Sequence, residues 1–194
     1  MRTKIRKPGK MGATVVRGRR NLIDDFYHIF SVNMKDLGSP VHAKKFFINL
    51  ANEFGDKFHL FVVYFQGRAL AAGICLNYKN IMYNPWASSL KTFGKMRPNW
   101  LLYWEMIKHA ADTPNCVVFD FGRSSRDTGT YDFKRQWGAQ ETLLWWKGLA
   151  SGKKKDINTD AVKNKFEVLG ECWKHLPLKV TTLCGPIIRK YISL

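Results

Sequence analysis

KFHLFVVYFQGRALAAGICLNYKN, residues 57–80, decides the fold. Upstream of it apolar residues recur at helical spacing. Here the helical period gives way and the composition turns β-branched and aromatic, which marks extended chain. Gln66 and Gly67 separate two such runs, so the segment reads as a β-hairpin on a tight two-residue turn. IMYNPWASS (81–89) adds a third strand, which Pro85 must interrupt or bend because it has no N–H to give the ladder.

Outward from the hairpin, the N-terminal side is helical. ATVVRG (13–18) reads as a short strand. Asn21 is a plausible N-cap for LIDDFYHIFSVNMKDLG, in which Leu22, Phe26, Ile29, Phe30 and Met34 share one face. Ser39 and Pro40 break the chain, and HAKKFFINLANEFG (42–55) gives a second helix with Phe46, Leu50 and Phe54 in register. On the C-terminal side, WLLYWEMIKHAAD (100–112) is an apolar helix and CVVFDFGRS (116–124) an apolar strand with a polar end. TGTYDFKRQWG (128–138) is a short helix stopped by Gly138, and ETLLWWKGL (141–149) a last strand. A polar KKKD linker leads to an amphipathic helix at about 158–174 and a Pro-broken tail. The expected architecture is α/β, with a mixed sheet that is antiparallel in its middle and flanked by helices.

The chain has 194 residues and 45% hydrophobic content, enough for one substantial core. Its net charge of +17 is unevenly placed. Residues 1–20 carry eight Lys or Arg and no acid, and residues 151–194 carry nine bases against four acids. The flanks, not the body, are therefore suited to tRNA or anionic lipid, or serve solubility. Pro8 and Gly9 within the first charge run argue for an arm or linker over 1–11, ahead of a domain at 12–150 and a basic tail at 151–194. On that reading, deleting residues 1–10 leaves folding intact. The four cysteines form no CxxC pair, so neither a zinc cage nor a disulfide framework is suggested. There is neither an apolar run of spanning length nor a secretory h-region, which points to the cytoplasm or the inner face of the membrane.

The chemistry concentrates in FDFGRSSRDTGTYDFKRQWGA, 119–139. An apolar strand runs into Asp120, Gly122, Arg123 and Ser124, and ligands of open α/β sheets bind beyond the carboxyl ends of strands. Tyr131, Lys134 and Arg135 follow at i, i+3 and i+4, so one helical face carries a phenol and two cations suited to a phosphate or a developing oxyanion. The same pattern also reads as an Asp120–Arg123 ion pair with Lys134 and Arg135 in solvent. Tyr83, Asn84, Trp86, Ser88 and Ser89, around the bend at Pro85, either line a slot for substrate or pack as an edge strand. Asp120-Phe121-Gly122 spells the kinase triplet, yet no Gly-rich loop, VAIK lysine or HRD loop accompanies it. Ser124 lies in no GxSxG elbow, and no histidine has metal spacing.

FDFGRSS and TGTYDFKRQWGA, with NMKDLGSPVH (33–42), YNPWASS (83–89) and CWKHLPLKVTTLCGP (172–186), resemble FemAB-like proteins, particularly those associated with PEP-CTERM and exosortase systems of Gram-negative bacteria. The resemblance implies a GNAT-like fold and transfer of an acyl or aminoacyl group to an amine of a cell-envelope precursor, in peptidoglycan or exopolysaccharide assembly. It implies aminoacyl-tRNA or acyl-CoA as the donor, with no further cofactor. By the family's recurrent Phe-Lys pair, it makes Lys134 the residue that stabilises the reacting carbonyl. The resemblance assigns no role to the other residues; their own chemistry and position suit Asp120 as the proton acceptor, and Arg123, Ser124, Tyr131, Arg135, Tyr83, Asn84 and Ser88 as substrate-binding residues. Lys134→Ala is expected to remove transfer while leaving the fold intact.

The run Lys91-Thr92-Phe93-Gly94-Lys95-Met96 lacks the second small residue of a pyrophosphate-binding loop, which argues against CoA. FemAB-like enzymes contain two GNAT-like halves and this chain holds one. A non-catalytic module binding tRNA or a membrane surface, and a fragment that needs an N-terminal half on another chain, are the alternatives to an enzyme.

Overall fold

A computed structural model describes residues 1–126, 128–144 and 168–191. Its five strands are β1 (Thr14–Gly18), β2 (Phe58–Phe65), β3 (Arg68–Tyr78), β4 (Ile81–Ser89) and β5 (Val118–Asp120), in the spatial order β1-β2-β3-β4-β5. The first four are antiparallel neighbours and β5 joins β4 in parallel, so the sheet is mixed as the sequence requires. Gln66 and Gly67 turn the hairpin with φ of 50° and 72°, the left-handed pair that matches strand twist.

Two layers of helix cover the sheet. On one face lie α2 (Ile23–Asp36) and α3 (Lys44–Phe54), and between them and the strands Phe26, Ile29, Phe30, Phe47, Leu60 and Ile74 form one core. On the other face α4 (Pro98–Asp112) buries Leu102, Tyr103 and Met106 against Phe61, Val63 and Cys75. The short α5 (Gly129–Arg135) is held against α4 by an aromatic group. Phe133 meets Trp100 and Tyr103 at 5.0 Å between ring centroids, and Trp137 stacks on Trp100 at 5.1 Å. At the C-terminal end residues 168–175 are helical, and α6 (Leu178–Arg189) packs beside α2 through buried Thr181 and Gly185.

Four expectations are corrected. The first residues are not an arm: α1 (Arg2–Lys10) is a helix on α4 that buries Ile5 and Pro8. Lys4 sits 4.9 Å above the Trp100 ring and donates to Gln136. With one aliphatic residue turned inward, this helix leaves no apolar period to read. In α3 the buried stripe runs through Phe47 and Ala51 with Leu50 and Phe54 at its margin, while Phe46 is exposed. Two adjacent phenylalanines make the helical phase ambiguous, and contact with the sheet settles it. β5 spans only Val118–Asp120, because Val117 lies outside the sheet and the chain turns at Gly122. Residues 141–144 of the expected last strand carry no strand structure, and 145–149 lie outside the described residues. So does the first part of the helix expected over 158–174.

Candidate functional site

The site begins where β4 and β5 stop pairing. Opposite Cys75 of β3 the ladder skips two residues of β4, Asn84 and Pro85, since Ile74 pairs Trp86 and Leu76 pairs Tyr83. Proline forces this bulge because it cannot donate, and Asn84 secures it. The buried Asn84 amide donates to the Ile74 carbonyl at 2.8 Å and the Trp86 carbonyl at 3.2 Å. On its other edge β4 pairs β5 only from Ile81↔Val118 to Tyr83↔Asp120. Past that point β4 continues to Ser89 with no strand on this edge among the described residues, and the chain after β5 bends away.

Asp120, Gly122 and Lys134 shape the bend. Asp120 Oδ1 accepts the Gly122 N–H at 2.7 Å. Gly122 has φ +69°, and a Cβ there would stand 3.0 Å from the Asn84 carbonyl oxygen, so both conformation and space call for glycine. Lys134 Nζ donates to the Gly122 carbonyl at 2.9 Å and the Arg123 carbonyl at 3.0 Å. The side chain is 9% exposed. Burial holds its ammonium below the ordinary lysine pKa, opposed by the Asp120 carboxylate. Lys134 is thus not a solvated helix residue: it ties α5 to the end of β5 with two of its three N–H groups.

Asp120, Arg123, Ser124, Tyr131, Lys134 and Arg135 line one cavity of about 660 Å³. The expected three-residue face of α5 divides within it. Lys134 points to the bend, while Tyr131 donates its hydroxyl to Glu141 and Arg135 stands over the Tyr131 ring at 5.7 Å. Arg126 closes this outer group by pairing with Glu141 at 3.2 Å. Thr128 caps α5, its hydroxyl accepting from the Tyr131 N–H. Ser124 Oγ is buried without a hydrogen-bond partner among the described residues.

Tyr83, Asn84 and Ser88 are not in that cavity. Tyr83 is the β4 partner of Asp120, Asn84 is spent on the bulge, and buried Ser88 accepts from Asn33 of α2 at 3.2 Å. On the α2–α3 side of β4, Trp86 meets His42 at 6.1 Å and Phe46 at 5.7 Å between centroids. Arg189 of α6 reaches His42 Nε2 at 3.4 Å and lies close enough to Arg123 that their like charges disfavour its protonation, after burial. Glu141, Arg126, His42 and Arg189 escape a reading of sequence because each gains its place from a partner distant along the chain or across a turn. Only the charge of Glu141, two residues beyond the 119–139 motif, hints at a partner for the cations within it.

No curated protein matches the chain. Among solved structures, an aminoglycoside acetyltransferase from an uncultured soil metagenomic sample, in complex with sisomicin, aligns with a TM-score of 0.58 and 11% identity. That alignment covers 72% of this chain and 97% of that one. FemX aligns with a TM-score of 0.63 and 16% identity over 71% of this chain and 52% of its own. The ribosomal-protein-S18-alanine N-acetyltransferase of Escherichia coli aligns with a TM-score of 0.55 and 12% identity, covering 68% of this chain and 79% of that chain. These likenesses concern the fold. Sequence agrees: the family described as Acetyltransferase (GNAT) domain matches residues 1–135, from α1 through the Lys134 that ends the site, and the chain belongs to that family.

Proposed function

We propose that this GNAT chain transfers an aminoacyl or acyl group to an amine of a cell-envelope or polysaccharide precursor, with the reacting carbonyl placed beside Lys134. The observation that carries the reading is the buried Lys134 ammonium at the mouth of the β4–β5 opening, two of its N–H groups fixed on backbone carbonyls. A donor fixed in advance costs little reorganisation when charge develops on the carbonyl oxygen, and the third N–H is the one such an oxygen would use. The amine attacks the carbonyl carbon, negative charge collects on its oxygen opposite Lys134, and the leaving oxygen or sulfur departs with the electron pair. Asp120, with Oδ1 on the Gly122 N–H, has Oδ2 to take the proton that the attacking amine sheds. Arg123, Ser124, Tyr131 and Arg135 on the cavity wall suit an anionic part of donor or acceptor.

Aminoacyl-tRNA is the favoured donor over acyl-CoA. Residues Lys91–Met96, where a pyrophosphate loop would run before α4, form 3-10 turns with Met96 buried, and they lack its second small residue. The resemblance of the 119–139 motif to FemAB-like proteins supports the same choice. Calorimetry with CoA and with aminoacyl-tRNA tests it. Weak CoA binding and salt-dependent tRNA binding are expected, whereas tight, salt-insensitive CoA binding would make the protein an acetyl-CoA enzyme.

A further inference from the structure

The C-terminal helix α6 turns an apolar stripe to solvent. Thr181 and Gly185 face inward, against α2 and Val41. On the opposite side Val180, Leu183 and Ile187 follow at i, i+3 and i+7, with Leu183 76% and Ile187 61% exposed, and exposed Tyr191 follows in the turn just past the helix. Ile188 widens the stripe, and the exposed Val168 and Leu169 add apolar surface in the helical residues before α6. Monomeric proteins rarely leave such a continuous apolar strip uncovered, and one rimmed by polar groups marks an interaction site.

Charge identifies the occupant. Exposed Lys179 and Lys190 stand along one edge of the stripe. From Val168 to the last residue the chain has four Lys or Arg against one acid, Glu171, which pairs with Lys174, within a molecule of net charge +17. The surface is a convex helix, not a groove. No helix among the described residues is long and apolar enough to cross a membrane, and α6, 12 residues long, extends only about 18 Å. A short helix with one apolar face and lysines at its edge lies in the plane of a lipid interface, where the lysine stems reach the head groups.

We infer that α6 docks the protein on an anionic lipid bilayer, inserting Val180, Leu183, Ile187 and Tyr191 between head groups that Lys179 and Lys190 contact. The inner side of the same helix carries Arg189, which reaches His42 beside the β4–β5 opening. Docking therefore brings the opening next to the bilayer, where an acceptor attached to lipid is met by diffusion in two dimensions. The inference does not depend on which group is transferred.

Vesicle co-sedimentation of the full chain tests it, with neutral phosphatidylcholine vesicles and with vesicles containing about one third phosphatidylglycerol. The wild-type chain sediments with the anionic vesicles and far less with the neutral ones. Leu183→Gln with Ile187→Gln, which leaves the net charge unchanged, weakens that binding about tenfold or more while circular dichroism and the melting midpoint stay as in the wild type. Lys179→Gln with Lys190→Gln weakens binding to anionic vesicles only. A Leu183/Ile187 variant that binds like the wild type would reduce the attraction to the basic flanks and overturn the docking role of α6. A wild-type chain that stays in the supernatant, and is a dimer that this variant converts to monomer, would assign the stripe to a second copy.

Discussion

At the scale of single residues, Lys134 and Gly122 carry the site between them, and their substitutions separate catalysis from architecture. Lys134→Ala leaves the Gly122 and Arg123 carbonyls without their donor, so it costs about 1–3 kcal/mol of stability as well as activity. The fold is therefore not untouched, as a solvated lysine would have implied. Transfer falls further than stability can explain, by about 10²–10³, because the lost donor acts on the developing charge. Gly122→Ala keeps every functional group yet forces a side chain into left-handed backbone 3.0 Å from the Asn84 oxygen. We expect it to lower stability by about 1–2 kcal/mol and to slow transfer by opening the bend, measured by chemical denaturation and a rate assay on the folded fraction. The motif Phe-Asp-Phe-Gly-Arg-Ser made this cluster legible in sequence, since an apolar run ending in polar residues marks a strand end. What was not legible is that the Lys134 ammonium is spent on backbone: the Gly122 and Arg123 carbonyls it bonds belong to a bend whose course only the folded chain fixes.

At the scale of elements, α1 gives the plainest test. Deleting residues 1–10 removes Ile5 and Pro8 from the α4 surface and Lys4 from Trp100, a loss of about 2–4 kcal/mol. The melting midpoint should drop by roughly 5–10 °C. An unchanged midpoint would restore the reading of this segment as a passive arm. The hairpin and α2 were readable because composition and turn chemistry agree there: a β-branched and aromatic run, buried on both faces, ends at Gln66-Gly67, and Leu22, Phe26, Ile29 and Phe30 are buried on one face. Elements that rest on few apolar contacts escaped, as α1 did with its single inward isoleucine. In α3 the adjacent Phe46 and Phe47 left the phase one residue out. β5 was read too long because Val117 is apolar, although 73% exposed beside the sheet edge.

At the scale of the whole molecule, stability should fall with acid for a reason visible between β2 and α4. His59 packs on His109 at 4.4 Å between ring centroids, and Arg17 bonds to His109 at 2.7 Å. Burial, then the charges of His109, Arg17 and Arg19, brings the His59 pKa down to about 4, and burial lowers those of His109 and His42 as well. Each folded-state pKa lies below the unfolded value near 6.5, so between that pH and the folded pKa the unfolded chain takes up protons that the folded chain refuses. Stability is whole above pH 6.5 and is lost as pH falls toward 4. Melting from pH 7.5 to 4.5 should show this decline, with a shallower one in His59→Gln.

The central claim, that the Lys134 bend is where the group is transferred, is tested most directly by single-turnover transfer of a labelled aminoacyl group from tRNA to an amine-bearing cell-envelope precursor. The comparison is between the wild type and Lys134→Met, which keeps the buried aliphatic stem, each corrected for its folded fraction. The account predicts transfer by the wild type and a rate about 10²–10³ lower in the variant. A folded Lys134→Met protein that transfers at the wild-type rate would contradict it.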